Sequence, residues 1–237
     1  MRSLLYHRVV QVPEPDDRYS VSLTRFDRQM QALVRRDWRG GSVGEAADRP
    51  EDDPVERGFA LTFDDGYEDF ERLALPVLER CGFTATVFVV TGHVGGRAQW
   101  DGGMGAPLLG WRSIRELHER GIEFGSHTRT HPHLTRLSSA RARDEIRGSR
   151  EDLEDRIGSA VRWLAYPYGE SDSDVRRLAR ESGYEDAFGV LPSRPGPFQR
   201  PRIECDDGDG PFGMTLKVSR WYPVFARVIS KSHRQPG

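Results

Sequence analysis

Phe59-Ala60-Leu61-Thr62-Phe63-Asp64-Asp65-Gly66 carries a mostly apolar run into two adjacent carboxylates and a glycine. A run of that length closed by a turn residue reads as a buried strand ending in a tight turn. Two neighbouring aspartates repel each other, so a fold keeps them only where something offsets the charge. A metal ion, a shared proton or full solvation would each do so. The choice depends on what else the chain brings to the same place.

Outward from this strand, strand and helix patterns alternate. Upstream, Ser3-Leu4-Leu5-Tyr6 is a short strand candidate ending at His7, and residues 24–38 carry Phe26, Met30, Leu33 and Val34 at helical spacing. Thr24 is the expected cap of that helix, with Asp27 as its partner and Gly40-Gly41 as its stop. Residues 42–57 are polar and proline-broken and read as a surface loop. Downstream, a helix is expected from Pro76 to Gly82, then a buried strand over 84–90. A long glycine-rich loop follows around Trp100-Asp101, a kind that is usually functional or disordered. Further elements are a helix at 113–120, a strand at 122–125 and a long helix opened by Ser138. A strand over 161–166 ends in Pro167-Tyr168-Gly169, a helix is capped by Ser171 or Asp172, and a last strand covers 187–190. The alternation argues for α/β architecture, a parallel sheet with outer helices, doubly wound or closed into a barrel. Residues 1–237 contain no internal repeat and no long linker, so one domain is expected, with a core over about 1–205. Residues 206–237 form a loop and a basic-aromatic C-terminal segment.

Composition excludes several classes. The chain has 237 residues, and 35 basic against 37 acidic side chains leave a formal net charge of −2. Nothing in that balance suits nucleic acid. Cys81 and Cys205 are too few for a disulfide framework or a structural zinc site. No leader pattern opens the chain and no run of about 18 apolar residues occurs, so a cytoplasmic chain is the default expectation. The stretch 212–231 mixes aromatic and basic residues without an acid; a helix closing the barrel is favoured there over one lying on a membrane surface.

The reactive residues fall where strands end: His7, Asp64-Asp65, His127 with His131, and Tyr168. In a barrel of parallel strands those C-terminal ends form the catalytic face. His127-Thr128-Arg129-Thr130-His131 sets two imidazoles four residues apart, on a helical turn or tight loop, so that both can reach one ion. With one aspartate they make a two-histidine, one-carboxylate set that leaves positions open for water and substrate. His133 reads as a loop residue or a support to the site, and His93, His118 and His233 have no partner pattern. Trp100, Asp101 and Trp111 either line a sugar cleft, for which aromatic faces are suited, or anchor the loop.

Thr62-Phe63-Asp64-Asp65-Gly66 together with Ser126-His127-Thr128-Arg129-Thr130-His131 resembles the first two motifs of the polysaccharide deacetylases, which include the nodulation chitooligosaccharide deacetylases. The resemblance extends over roughly residues 1–205 and includes Pro167-Tyr168-Gly169. It implies a distorted, incomplete (β/α) barrel and metal-dependent hydrolysis of an N-acetyl, less often O-acetyl, group from a carbohydrate by metal-activated water. By resemblance Asp64 is the general base, Asp65, His127 and His131 hold the metal, and the backbone N–H of Tyr168 serves the oxyanion. The metal is expected to be Zn2+, with Co2+, Ni2+ or Fe2+ as alternatives. Two features depart from the family. Ala165 stands where an arginine usually orients the base, which leaves that task to another arginine, such as Arg202, and the C-terminal leucine-x-histidine motif is missing. Both fit a circularly rearranged branch, the biofilm poly-N-acetylglucosamine deacetylases, in which a Tyr-His pair near the N-terminus supplies the acid. Leu5-Tyr6-His7-Arg8-Val9 resembles that pattern and marks His7 as the general acid. The alternatives are an amide hydrolase of the same fold, such as a deformylase acting on a small or lipid-linked sugar, and a glycan-binding relative without catalysis.

Overall fold

Leu4, Leu61 and Ile203 lie side by side on three adjacent parallel strands, and this register closes the sheet into a ring. The structure, a computed structural model, describes residues 1–14, 17–49, 57–100, 105–191, 195–219 and 222. In chain order the elements are β1 (Ser3–Tyr6), β2 (Arg8–Val10), β3 (Ser20–Ser22), α1 (Leu23–Val34), β4 (Arg39–Gly41), α2 (Val43–Ala47) and β5 (Gly58–Phe63). A π turn (Phe70–Ala74) leads into α3 (Leu75–Cys81), followed by β6 (Thr86–Val89), α4 (Trp111–Glu119), β7 (Glu123–Ser126) and α5 (Ser139–Ile157). The remainder comprises β8 (Trp163–Ala165), α6 (Ser173–Glu181), β9 (Asp186–Val190), β10 (Arg200–Glu204) and α7 (Pro211–Lys217).

The ring runs β1-β5-β6-β7-β8-β9-β10 and returns to β1, every pairing parallel. It is the distorted (β/α) barrel, with seven strands. The distortion has a local cause. β4 pairs with the first half of β5 (Arg39 opposite Gly58), while β6 pairs only with its end (Thr62 opposite Thr86). β4 therefore wedges β5 away from β6 at the barrel floor. Strand periodicity sorts the side chains. Phe59, Leu61 and Phe63 join the main core beneath the helices, whereas Ala60 packs with Phe88, Trp163, Ala165 and Phe188 in a second cluster inside the ring. Gly125 is required there: a Cβ would lie 2.5 Å from the Phe88 ring. The floor is plugged by the start of α2, whose Val43 and Gly44 N–H groups donate to Thr86 Oγ1 (2.8 Å) and Glu123 Oε2 (3.0 Å).

Several boundaries differ from expectation. Ser22, rather than Thr24, caps α1, its hydroxyl accepting from the Arg25 N–H. The helix ends at Val34, and Gly40-Gly41 belongs to β4, where a Cβ at Gly40 would lie 2.9 Å from both the Phe59 and Phe83 rings. The polar stretch after Gly41 begins as α2, fixed by a Ser42–Glu45 capping box. The helix expected from Pro76 starts earlier through the π turn. β10 has almost no apolar signature, Ile203 being its one core residue after the polar, proline-bearing Arg200-Pro201-Arg202. In the C-terminal segment α7 buries Met214 and leaves Phe212 exposed; of the stretch 212–231, residues 220, 221 and 223–231 lie outside the described residues. Among the described residues no helix is long and apolar enough to cross a membrane.

Candidate metal and catalytic site

The β5, β7, β1 and β8 strands deliver Asp64-Asp65, His127, His7 and Tyr168 to one rim of the ring, where they line a cavity of about 500 Å³. Asp64, Asp65, His127 and His131 are buried there. Asp65 Oδ1 lies 3.4 Å from His127 Nε2 and 3.4 Å from His131 Nε2. The three ligand atoms lie within 4.8 Å of one another. The donor set fits a divalent cation on three counts. Asp65 Oδ1 is buried with no protein partner among the described residues. His127 Nδ1 donates to the Ala165 carbonyl at 2.8 Å, which leaves the Nε2 lone pair facing the cluster. Burial, reinforced by neighbouring His127, holds His131 down at about 3, so its imidazole is neutral and able to ligate.

Asp64 is held differently. Arg202, fully buried on β10, grips it with two hydrogen bonds, Nη1 to Oδ1 at 2.6 Å and Nη2 to Oδ2 at 2.7 Å. The guanidinium also donates to Thr62 Oγ1 and the Gly189 carbonyl (both 3.3 Å) and lies over the Phe88 ring. Burial alone would push the Asp64 carboxyl up, but the Arg202 charge, with His127 and the paired hydrogen bonds, outweighs it and holds the group at about 2. Asp64 is therefore ionised at neutral pH and sits 3.9 Å from His127 without joining the three-ligand cluster.

Among the described residues, backbone strain concentrates around the site. Six non-glycine residues have positive φ, and four of them, Asp65, Thr128, His131 and Tyr168, are in the site or its loops. Such conformations persist where surrounding structure over-determines them, and they concentrate at functional centres. His127 and His131 stand on a tight loop rather than a helical turn, tied by the His131 N–H to Thr128 Oγ1 at 3.1 Å. Trp100 stacks on the His131 ring at 4.6 Å, and Tyr168 meets it edge-on at 4.8 Å. His133 stacks on Tyr168 and pairs with Glu170 at 3.0 Å. His7 is placed by its neighbours. Tyr6 packs on Phe63, Arg8 and the Val9 N–H bond Asp69, and the His7 ring lies 5.0 Å from that of Tyr19.

A family model described as polysaccharide deacetylase matches residues 51–187, more than half of the chain. The chain belongs to the polysaccharide deacetylase family. YxkH of Bacillus subtilis, named for the same family, is 28% identical over 147 residues, 62% of this chain and 48% of its own. The poly-beta-1,6-N-acetyl-D-glucosamine N-deacetylase of Staphylococcus aureus (strain MRSA252) is 24% identical over 182 residues, 73% of this chain and 61% of its own. The chain thus spans about half to three-fifths of the length of the curated relatives it matches. The Streptococcus pyogenes deacetylase PplD, solved in complex with acetate, shares the fold with a TM-score of 0.80 at 23% identity, over 92% of this chain and 98% of that one.

Within this family member the geometry brings together Asp64, Asp65, His7, His127, His131, Tyr168, Trp100 and Arg202. Asp101 lies outside the described residues. Trp111 packs against the core under Arg156, away from the cavity lining. Sequence reasoning did not find the walls built by Arg18, Tyr19, Leu191, Cys205 and Asp206. Their only sequence signal is position just after a strand end or within the β2–β3 loop.

Proposed function

We infer that this chain, as one catalytic domain, is a metal-dependent N-deacetylase of a glycan containing N-acetylhexosamine. The observation that carries this reading is the division of the aspartate pair: Asp65 faces the two imidazoles, while Asp64 is gripped by Arg202 beside them. Asp65, His127 and His131 would hold the cation, with Zn2+ favoured by the nitrogen-rich set. When bound, the cation supplies Lewis acidity that draws charge from the acyl oxygen and acidifies water. Asp64, ionised and fixed by Arg202, takes the proton of the attacking water. The Tyr168 N–H, turned by its positive φ, donates to the developing oxyanion. His7 delivers a proton to the departing nitrogen. Similarity to the staphylococcal poly-β-1,6-N-acetylglucosamine deacetylase supports a β-1,6-linked polymer as the substrate.

The decisive assay measures acetate release from β-1,6-linked N-acetylglucosamine oligomers, with chitooligosaccharides for comparison, before and after chelation. Release from the β-1,6 series, lost on chelation and restored by Zn2+, is the expected result. Release that survives chelation would remove the metal from the reaction, and none on either series would remove the glycan assignment. For His7→Ala, turnover should fall by about 10²–10⁴-fold, the usual worth of a general acid, with metal content unchanged. Full turnover in that variant would exclude His7 as the acid.

A further inference from the structure

The inner face of α5 carries polar as well as apolar side chains. Ala142, Ile146 and Leu153 enter the core as an apolar stripe, but beside them Glu145, Ser149 and Asp152 turn toward the histidine loop. Ser149 Oγ and Ser126 Oγ bond at 2.5 Å where the loop leaves β7. Asp152 receives the Arg129 guanidinium through two bonds of 2.8 and 2.9 Å and the Thr91 hydroxyl at 2.8 Å. Gly148 makes room for this pair, because a Cβ there would lie 2.3 Å from the Arg129 guanidinium carbon. A glycine inside a helix costs about 1 kcal/mol relative to alanine, and here it leaves the space that the Arg129 side chain occupies.

Glu145 reaches the loop directly beside His131. Its Oε2 accepts the backbone N–H groups of both Arg129 (2.9 Å) and Thr130 (2.8 Å), and its Oε1 accepts the Thr130 hydroxyl at 2.6 Å. These are the two residues immediately before His131. The two histidines are supported unequally. Metal-bound histidines usually donate their second ring N–H to a carbonyl or carboxylate, which fixes the ring. His127 does so through Ala165, whereas His131 Nδ1, buried, has no protein acceptor among the described residues. His131 depends instead on its backbone, held at φ 59°, and on the Trp100 and Tyr168 rings.

We propose that Glu145 is the positioning residue for His131: by accepting two consecutive loop N–H groups it fixes the turn that aims the His131 ring at the metal. The inference rests on the metal-site reading above. It concerns hydrogen-bond geometry rather than charge, and the two can be separated. In Glu145→Gln one carbonyl oxygen still accepts both N–H groups, and the amide nitrogen can donate to Thr130 Oγ1. In Glu145→Asp the charge stays but the acceptor withdraws by one methylene.

The test compares the full chain with Glu145→Ala, Glu145→Gln, Glu145→Asp and, as a control on the same helix, Glu151→Ala. Zn2+ affinity is read by competition with a chromophoric chelator, ligand geometry by the visible spectrum of the Co2+ form, and folding by thermal unfolding of the metal-free proteins. Glu145→Ala and Glu145→Asp are expected to lose about 10–100-fold in Zn2+ affinity with an altered Co2+ spectrum. Glu145→Gln and Glu151→Ala should match the parent. Parent-like affinity in both Glu145→Ala and Glu145→Asp, or loss in Glu145→Gln with retention in Glu145→Asp, overturns the proposal. Should Glu145→Ala not fold, the Gln/Asp pair decides alone. If the parent itself binds neither metal, the site reading falls and the proposal with it; metal binding indifferent to these variants removes Glu145 alone.

Discussion

Arg202→Met is expected to cost about 3–5 kcal/mol of stability and nearly all turnover, because it strands a buried charge. Asp64 is 3% exposed and Arg202 0%, so water cannot replace the two hydrogen bonds that the substitution removes. With the guanidinium gone, burial becomes the dominant influence on Asp64 and drives its carboxyl upward, toward the protonated form that cannot act as a base. The sign of the pH effect follows. In the parent, Asp64 is held at about 2, below the ordinary 3.8, so its contribution to stability is present above about pH 4 and is lost as pH falls through 2. In Arg202→Met the group is raised, and the remaining stability should fall as pH rises toward neutrality. Adding Asp64→Asn to Arg202→Met removes the stranded charge and should recover much of the stability without recovering turnover. Urea unfolding across pH, together with acetate release, checks both halves. A single variant as stable as the parent would contradict the burial of this pair.

Asp65→Asn should abolish metal loading while leaving the fold intact. The substitution keeps the shape, and asparagine tolerates the positive φ of 72° at this position. It withdraws the anionic ligand, whose Oδ1 lies 3.4 Å from both imidazoles. Losing one charged ligand from a three-residue set should reduce Zn2+ affinity on the order of a thousandfold. Turnover should fall by a comparable or larger factor, since several kcal/mol of charge stabilisation leave with the ion. The metal-free variant should unfold at the parent temperature or above, because one of two neighbouring buried carboxylates is now neutral. Elemental analysis after desalting, titration calorimetry and thermal unfolding read the three effects separately. Full metal content in Asp65→Asn would remove Asp65 from the ligand set, and a lowered metal-free transition would show the carboxylate to be structural.

Much of this site was legible locally. The apolar run Phe59–Phe63, closed by the turn residue Gly66, placed the carboxylates at a strand end. The four-residue histidine spacing put two imidazoles within reach of one ion, and the family motifs joined them to Asp65. Those signals survive in sequence because strand period, turn chemistry and ligand spacing act over a few residues. Helix boundaries were less secure: the Ser22 cap and the π turn before α3 depend on how each helix packs on the ring.

Other parts had no local signal. β10 is a polar, proline-bearing strand that pairs because β9 and β1 flank it, and only ring closure gives it those neighbours. The missing arginine at Ala165 announced a need, for which the sequence offered Arg202 as a candidate without any local signal to place it beside Asp64. Arg202 meets it from 138 residues beyond Asp64, crossing the ring interior that the small Ala165 side chain leaves open. Glu145 likewise looked like one acid among many on a charged helix. By itself the sequence determined the reactive groups and the strand ends that carry them, since short-range sterics and periodicity set both. The tertiary structure alone decided from where an arginine reaches Asp64 and which helix steadies His131. Those pairings arise from barrel closure, which brings distant residues into a low-dielectric interior where each charge must find its partner.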